Sequence, residues 1–506
     1  MLPIEHLYRA ARYQPDAIAV EAGEVHLTYA ELAAWVDAAA AHIQARVPGC
    51  QNRVAICGHN TLTHYLAILA TYASGNTWVA LNPKNSRRDL DRIVQVTRPA
   101  IFVVDDDCMD CFTPTRAALV LGSELVENGR PGSVLRRCMG TAAQRQGVTL
   151  DHLQAIKFTG GSTGIPKAVQ QPYRVGATHT VHMRVMYGFH RGDTGLAVSP
   201  LTHAGGTYSL PFIAVGGRYV LMGKPAAGAI LDAIEQRKVT RIFMAPTLLY
   251  QLVAEQQARP RDIASLHAIT YGAAPMPVEK IRQAQAVLGN RIDVTYGQTE
   301  ASQCLTGATR EELADDRYAG SVGRPGPLVQ VEVMDPQGRI LPPGEIGEVV
   351  ARGDLLMRGY LDNPAATAST VVDGWLHTGD TGAFDQDGYL TIKGRLKEMI
   401  ISGGFNVYPA EVENALSKHP GVYESVVFGV SDDKWGERVE AAVVARQGSA
   451  LQTADLVQWV KKELGSVQAP KAIHIVADLP RNEVGKVVRR EVQALLAKSV
   501  AEEVKP

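Results

Sequence analysis

Phe158-Thr-Gly-Gly-Ser-Thr-Gly-Ile-Pro-Lys-Ala-Val169 decides how this chain is understood. Gly160, Gly161 and Gly164 let the backbone turn tightly and aim several N–H groups at one oxyanion. Thr159, Ser162 and Thr163 add hydroxyl donors, and Lys167 adds a charge. A polyphosphate needs such a set; the competing reading is a flexible Gly/Ser/Thr linker. In the common P-loop the lysine directly follows the last glycine and opens a helix. Here Ile165 and Pro166 intervene, and Pro166 restricts Ile165 to extended geometry. Lys167 then belongs to a loop leading into a strand, Ala168-Val-Gln170, and the loop folds over a triphosphate rather than wrapping it.

On either side of this segment, helical and strand patterns alternate. Thr28 and Glu31 stand at capping-box spacing at the start of a helix. Arg53–Cys57 and Ala100–Val104 are short apolar strands, with a helix over His64–Ser74 between them. The theme repeats after residue 170, with strands at Thr194–Ser199, Thr240–Met244, Ile269–Tyr271 and Asp293–Tyr296. The last two stop at Gly272 and Gly297. Alternation of this kind predicts an α/β fold with a parallel sheet, whose ligands sit at the carboxyl ends of the strands. Residues 310–395 change to short β-runs broken by Gly, Pro and acidic turns, and a compact α+β unit follows. A boundary near Lys397 divides the chain.

Bulk properties narrow the function. The 506 residues suffice for about three or four units of roughly 150 residues each. Lys plus Arg is 51 and Asp plus Glu is 52, so no basic excess points to nucleic acid. No run of eighteen apolar residues predicts a membrane span, and the N-terminus lacks a signal-peptide pattern. The six cysteines are scattered; Cys108 and Cys111 form a C-x-x-C without a second pair, which favours a surface loop over zinc. The expected compartment is the cytoplasm.

Further motifs complete a pattern: Tyr296-Gly-Gln-Thr-Glu300, His377-Thr-Gly-Asp380, Gly394-Arg-Leu-Lys-Glu-Met-Ile-Ile-Ser-Gly-Gly404, Asn406-Val-Tyr-Pro409 and Pro480-Arg-Asn-Glu-Val-Gly-Lys486. With Phe158–Val169 they resemble, in order, the core motifs of the acyl-adenylate-forming enzymes. That superfamily includes acyl-CoA synthetases, peptide-synthetase adenylation domains and beetle luciferases, and the chain looks most like the first. The resemblance covers nearly the whole chain. It implies a large N-terminal domain, 1–396, of parallel-rich sheets flanked by helices plus a small β-structure. A small mobile α+β domain, 397–506, would carry the catalytic lysine. It implies a carboxylate and ATP giving acyl-AMP and pyrophosphate, after which a thiol displaces AMP.

The same resemblance assigns residues. Thr159, Gly160, Gly161, Ser162, Thr163, Gly164 and Lys167 would hold the phosphates, with Thr299 on the α-phosphate. Glu300, with Thr163, would hold Mg²⁺, for which a carboxylate is a suitable hard ligand. Gly272, Ala273, Ala274, Tyr296, Gly297 and Gln298 would form the adenine side of the site; Asp380 and Arg395 would take the ribose. Lys486 would bridge carboxylate and α-phosphate, Lys397 would be the hinge, and His203 a gate. Ser402, Gly403 and Gly404 would line a pantetheine tunnel, and Gly205, Gly206, Tyr208 and Tyr271 an acyl pocket, with Gln298 near it. Three positions depart from the family pattern: Gly160 replaces Ser, Ala168 replaces Gly, and Ser466–Pro470 lacks a Tyr-Lys pair.

The expected activity is an ATP-dependent carboxylate–CoA ligase with ATP, Mg²⁺ and coenzyme A. The alternatives are an adenylating enzyme that loads an acyl carrier protein and a non-catalytic nucleotide-binding relative. The acid is expected to carry an apolar or aromatic acyl group, from a fatty or aryl acid, and a homodimer is allowed.

Overall fold

The computed structural model describes residues 1–114, 118–144, 147–159, 167–481 and 486–503. Gly160, Gly161, Ser162, Thr163 and Gly164 therefore lie outside the described residues.

Two large sheets form the N-terminal region. One has seven strands in the order Gly359–Tyr360, Lys167–Pro172, Leu153–Thr159, Thr77–Leu81, Arg53–Cys57, Ile101–Val104, Ala118–Leu121. From Leu153–Thr159 onward its strands run parallel, and the first two are antiparallel additions. The other has nine strands, with Ile292–Tyr296, Ala268–Tyr271, Arg241–Met244, Thr194–Ala197, Arg218–Leu221 and Ile18–Ala22 parallel at its centre. Parallel sheets need helical crossovers and covered faces, which explains the near-continuous apolar strands.

The two sheets share one apolar core in which Val54 and Trp78 of the first meet Leu221 and Phe243 of the second. Helix Leu62–Ala73 lies within it, and all twelve of its positions are buried. Its Tyr65 packs on Tyr219 of the nine-stranded sheet, with ring centroids 5.9 Å apart. Just before the helix, Asn60 donates to the carbonyls of Ala197 (3.0 Å) and Ser199 (3.1 Å) and accepts from the Leu201 N–H (2.9 Å).

A five-stranded antiparallel sheet follows, containing Val329–Met334, Gly347–Gly353, Trp375–Phe384 and Leu390–Arg395. After the short turn Leu396–Glu398, a second five-stranded sheet combines Ile400–Ser402, Phe405–Val407, Gly436–Ala445, Val422–Asp432 and Ala472–Val476. Helices Pro409–Ser417 and Thr453–Leu464 share its core. Among the described residues, no helix is long and apolar enough to cross a membrane.

The expected elements are present, with ends shifted by a few residues. Thr28 caps Tyr29–Arg46 in a full capping box with Glu31. The last helix starts at Arg489 rather than Val487. One expectation is corrected: Cys108 is buried in a 3₁₀ turn, Asp106–Cys111, rather than placed on a surface loop. Cys108 shares a buried cluster with Cys57, Phe102 and Val104 of the sheet, and the fold brings His59 to within 3.8 Å of Asp107 beside it.

Candidate nucleotide and acyl-transfer site

Strands Ala268–Tyr271 and Ile292–Tyr296 are parallel neighbours, so their carboxyl ends lie side by side. At the first exit, Ala273 adopts φ +69°, a left-handed backbone that a residue with a Cβ adopts only at a cost. At the second, Gly297 is enclosed: a Cβ there would stand 2.6 Å from the Gln303 carbonyl carbon and 2.8 Å from the Ala301 oxygen. Glycine is the residue that this close approach admits.

Asp380 is the node of the site. It lies on Trp375–Phe384 directly opposite Arg395 on Leu390–Arg395, so strand register presents one to the other. Arg395 Nε donates to Asp380 Oδ1 at 2.7 Å. The other oxygen, Oδ2, accepts from the Tyr296 hydroxyl and from Gln298 Nε2, both at 2.7 Å. Gln298 also donates to the Thr378 carbonyl at 2.9 Å. Glu348 fixes the turn from below, accepting from the Gly379 N–H at 3.0 Å and holding His377 Nδ1 at 2.8 Å. Burial and the neighbouring Asp380 carboxylate push the Tyr296 phenol well above its usual pKa, so it stays a donor. The structure thus places Gln298 with Asp380.

A second chain of contacts joins the glycine-rich segment to the acidic loop. Lys167 and Tyr360 lie on paired strands, and the Lys167 ammonium sits 4.7 Å from the Tyr360 ring centroid. The Tyr360 hydroxyl donates to Glu300 Oε1 at 2.8 Å. Glu300 Oε2 accepts no hydrogen bond among the described residues. The backbone is pinned on both sides: Gln171 Nε2 donates to the Thr299 carbonyl, and the Met357 N–H donates to the Glu300 carbonyl, each at 2.8 Å. A hard carboxylate oxygen held from one side by a phenol is a fitting donor for Mg²⁺. Sequence reasoning missed Tyr360; its place on the strand beside Lys167–Pro172 is visible only in the fold.

The C-terminal part closes on this node. Burial and the nearby Arg395 guanidinium lower the Lys486 pKa, while Glu398 and Asp380 act against that shift. Lys486 therefore shares a neighbourhood with Asp380. Arg489 braces the region through Glu398 and Glu413. Across the divide, Arg481 donates to Thr247 Oγ1 at 3.0 Å, and the Lys280 ammonium sits 4.5 Å from the Tyr423 ring centroid. Lys397 is exposed in the turn Leu396–Glu398, between the last strand of one unit and the first of the next. Ser402 is buried, and Gly403 and Gly404 turn the hairpin whose neighbours Ile401 and Phe405 are exposed.

His203 interrupts a wide helical turn, with φ −118° and ψ −124°. Burial, and secondarily the charge of Lys157, lowers its pKa to about 4, which leaves the imidazole neutral at pH 7. The acyl-side residues are packed more tightly than the sequence suggests. A Cβ on Gly205 or Gly206 would collide with the Ser199 or Leu201 carbonyl, so these glycines serve close packing. Tyr208 is enclosed by Phe189, Phe212 and Phe243, and Tyr271 is buried at its strand end. Both glycines lie directly against the backbone of residues 199–201.

Comparison with known proteins agrees with this arrangement. Residues 7–361 match the family described as AMP-binding enzyme, and residues 411–486 match the AMP-binding enzyme C-terminal domain. A feruloyl-CoA synthase from Amycolatopsis sp is 34% identical over 493 residues, covering 96% of this chain and 97% of that protein. A fatty acid–[acyl-carrier-protein] ligase, ScoC, from Streptomyces coeruleorubidus is 31% identical over 96% of this chain and 94% of its own length. The ATP-bound MatB structure from Rhodopseudomonas palustris superposes with a TM-score of 0.88 at 28% identity, covering 98% of this chain and 99% of that one. By these matches and by its two sheets, appended β-structure and C-terminal unit, the chain belongs to the AMP-binding enzyme family.

Proposed function

We propose that the chain is an ATP-dependent carboxylate–CoA ligase that forms acyl-AMP and pyrophosphate, then acyl-CoA and AMP. The observation that carries this reading is the convergence on Asp380. Tyr296, Gln298 and Arg395 meet its carboxylate, and Lys486 arrives in the same neighbourhood from the far end of the chain. Within this reading the dividing point lies near Lys397, giving units 1–396 and 397–506.

The chemistry follows from charge. A carboxylate approaching an α-phosphate brings like charges together, and at ~4 Å with an effective dielectric near 20 each such pair costs about 4 kcal/mol. The Lys486 ammonium offsets this by bridging the two groups, a stabilisation that grows as charge develops. Asp380 accepts the ribose hydroxyls, held at the correct height by its three donors. Glycine-rich segment 159–164 and Lys167 take the outer phosphates, and Gly272–Ala274 with Tyr296 bracket the adenine. Glu300 and Thr163 would hold Mg²⁺, which supplies further neutralisation of phosphate charge. The neutral His203 imidazole suits a gate that must move without a counter-ion. Rotation about Lys397 would withdraw Lys486 and bring Ser402–Gly404 to the acyl-adenylate.

Coenzyme A is the acceptor in this reading. The carrier-protein alternative has one specific support, the similarity to ScoC. Pyrophosphate release is measured over a panel of acids, beginning with aryl acids because one relative is a feruloyl-CoA synthase. CoA or a phosphopantetheinylated carrier protein is then added. Acid-dependent pyrophosphate with acyl-CoA formation supports the proposal. Thioester formation on the carrier alone would move it to the alternative, and no acid-dependent pyrophosphate would remove it.

A further inference from the structure

Lys157 is a buried cation without an anion. It lies inside strand Leu153–Thr159, paired with Val169 on one side, while Ala155 and Ile156 of the same strand pair with Thr77–Leu81 on the other. Only 8% of the residue is exposed. Strand alternation sends Ala155, Lys157 and Thr159 to the same face, which looks into the core between the two large sheets. There the ammonium donates to Thr207 Oγ1 at 2.7 Å and to the His203 carbonyl at 3.3 Å, and stands 5.2 Å from the Trp78 ring centroid. All three partners are neutral. No carboxylate of the described residues offsets the burial, which alone lowers the lysine pKa to about 7. Lysine is rarely buried unless paired, and an ammonium has three donors to place.

The surroundings carry further unused polarity. Trp78 Nε1 is buried and makes no hydrogen bond among the described residues, and the buried His179 ring and Gln303 amide have only each other. Gln303 sits beside His179 and holds a left-handed backbone, φ +58°. Burial, then the charges of His182 and Lys157, hold the His179 pKa down to about 3, so its ring is neutral and has one nitrogen to donate. Buried polar groups in this number, left unsatisfied by the protein, call for a partner from outside. Trp78 borders Gly206, between His203 and Thr207, and His179 feels the charge of Lys157.

We propose that Lys157, with Thr207, Trp78, His179 and Gln303, forms a subsite for a second oxygen acceptor on the acid, a carboxylate or a phenol oxygen remote from the reacting carboxylate. Lys157 is then a specificity-determining residue. The proposal rests on the ligase reading above for the identity of the ligand as the acid substrate.

The test uses three acids on one skeleton: phenylpropanoate, its para-hydroxy derivative and its para-carboxy derivative. Pyrophosphate release is measured with the full-length chain, with Lys157→Met and with Lys157→Gln. The wild type is expected to favour at least one oxygenated acid by about tenfold or more in kcat/KM, as a hydrogen bond to a charged group allows. In both variants that ratio falls toward one, and the acid that shows the preference identifies the oxygen. An absent preference in the wild type overturns the proposal. So does an equal fall for all three acids, which would make Lys157 merely structural. Where a variant does not fold, as judged by its melting curve, the wild-type ratio decides alone. Calorimetric titration of the same acids without ATP separates the two readings. Tighter binding of an oxygenated acid to wild type than to Lys157→Met, with no pyrophosphate released, keeps the subsite and removes the ligase. Turnover without any preference keeps the ligase and removes the subsite.

Discussion

Asp380→Asn isolates the charge at the node while keeping its shape. Asp380 is 5% exposed and accepts three hydrogen bonds, two on Oδ2 and one on Oδ1. The asparagine oxygen can still face Tyr296 and Gln298, but those bonds lose their charge assistance, about 1 kcal/mol each. The new amide then faces Arg395 Nε, donor against donor, and the ion pair is lost. Because the Arg395 side chain is 45% exposed, solvent screens that pair and its loss adds at most about 1 kcal/mol. The total in the free protein is about 2–3 kcal/mol, mostly spent loosening the node rather than unfolding the chain. For the nucleotide, two ribose hydroxyls that donate to a carboxylate would donate to a single neutral amide oxygen, a further cost of about 2 kcal/mol. At 1.4 kcal/mol per tenfold, the KM for ATP is expected to rise on the order of 10- to 100-fold. The KM for the acid changes little. Pyrophosphate release titrated separately in ATP and in acid checks this, with a melting curve to confirm folding. A folded variant whose ATP KM stays within threefold of wild type would refute the ribose role, and equal rises in both KM values would show a general collapse instead.

Lys486→Ala is expected to lose adenylation by at least about two orders of magnitude while still converting supplied acyl-AMP to thioester; equal loss of both half-reactions contradicts the bridging role. Because the lysine acts as a cation and its pKa is lowered by burial and Arg395, wild-type adenylation should fall with rising pH earlier than an ordinary lysine would dictate. A pH profile of pyrophosphate release that stays flat into the range of a free lysine argues against that. Lys397→Pro fixes φ in the exposed turn between the two units; it should spare pyrophosphate release and slow thioester formation, and unimpaired thioester formation counts against the hinge. Tyr360→Phe removes the 2.8 Å donor to Glu300. The Mg²⁺ concentration for half-maximal activity is expected to rise roughly tenfold, and an unchanged Mg²⁺ titration would detach Tyr360 from the metal carboxylate.

What the sequence revealed and what it hid have physical causes. Thr28 and Glu31 announced a helix start because a capping box is local. Strands ending at Gly272 and Gly297 were legible because the apolar run and its stop are contiguous, and the two strands are parallel neighbours. Residues that matter through pairing were not legible. Tyr360 reaches Glu300 only because a two-residue strand is added antiparallel beside Lys167–Pro172. Lys157 drew no notice in the sequence, since burial of a charge is a property of what covers the strand. Gly205 and Gly206 are ambiguous for a related reason: a missing side chain signals room or crowding equally well, and the structure crowds the Cβ position of both. Cys108 was placed at the surface because charged neighbours surround it in sequence, whereas the turn directs its thiol inward.

Helix Leu62–Ala73 has no side that water can solvate, since all twelve of its positions are buried. Such a helix cannot be stable before both sheets exist, because its cover comes from residues more than a hundred positions downstream as well as from its own surroundings. The consequence concerns biogenesis. The two large sheets are not independent folding units, and synthesis must proceed past Tyr219 before the first third of the chain can bury its apolar surface. Until then the nascent N-terminal segment exposes that surface, which makes it a natural client for a chaperone. For the same reason, a chain cut between Tyr187 and Thr194 should yield two insoluble fragments rather than two small domains.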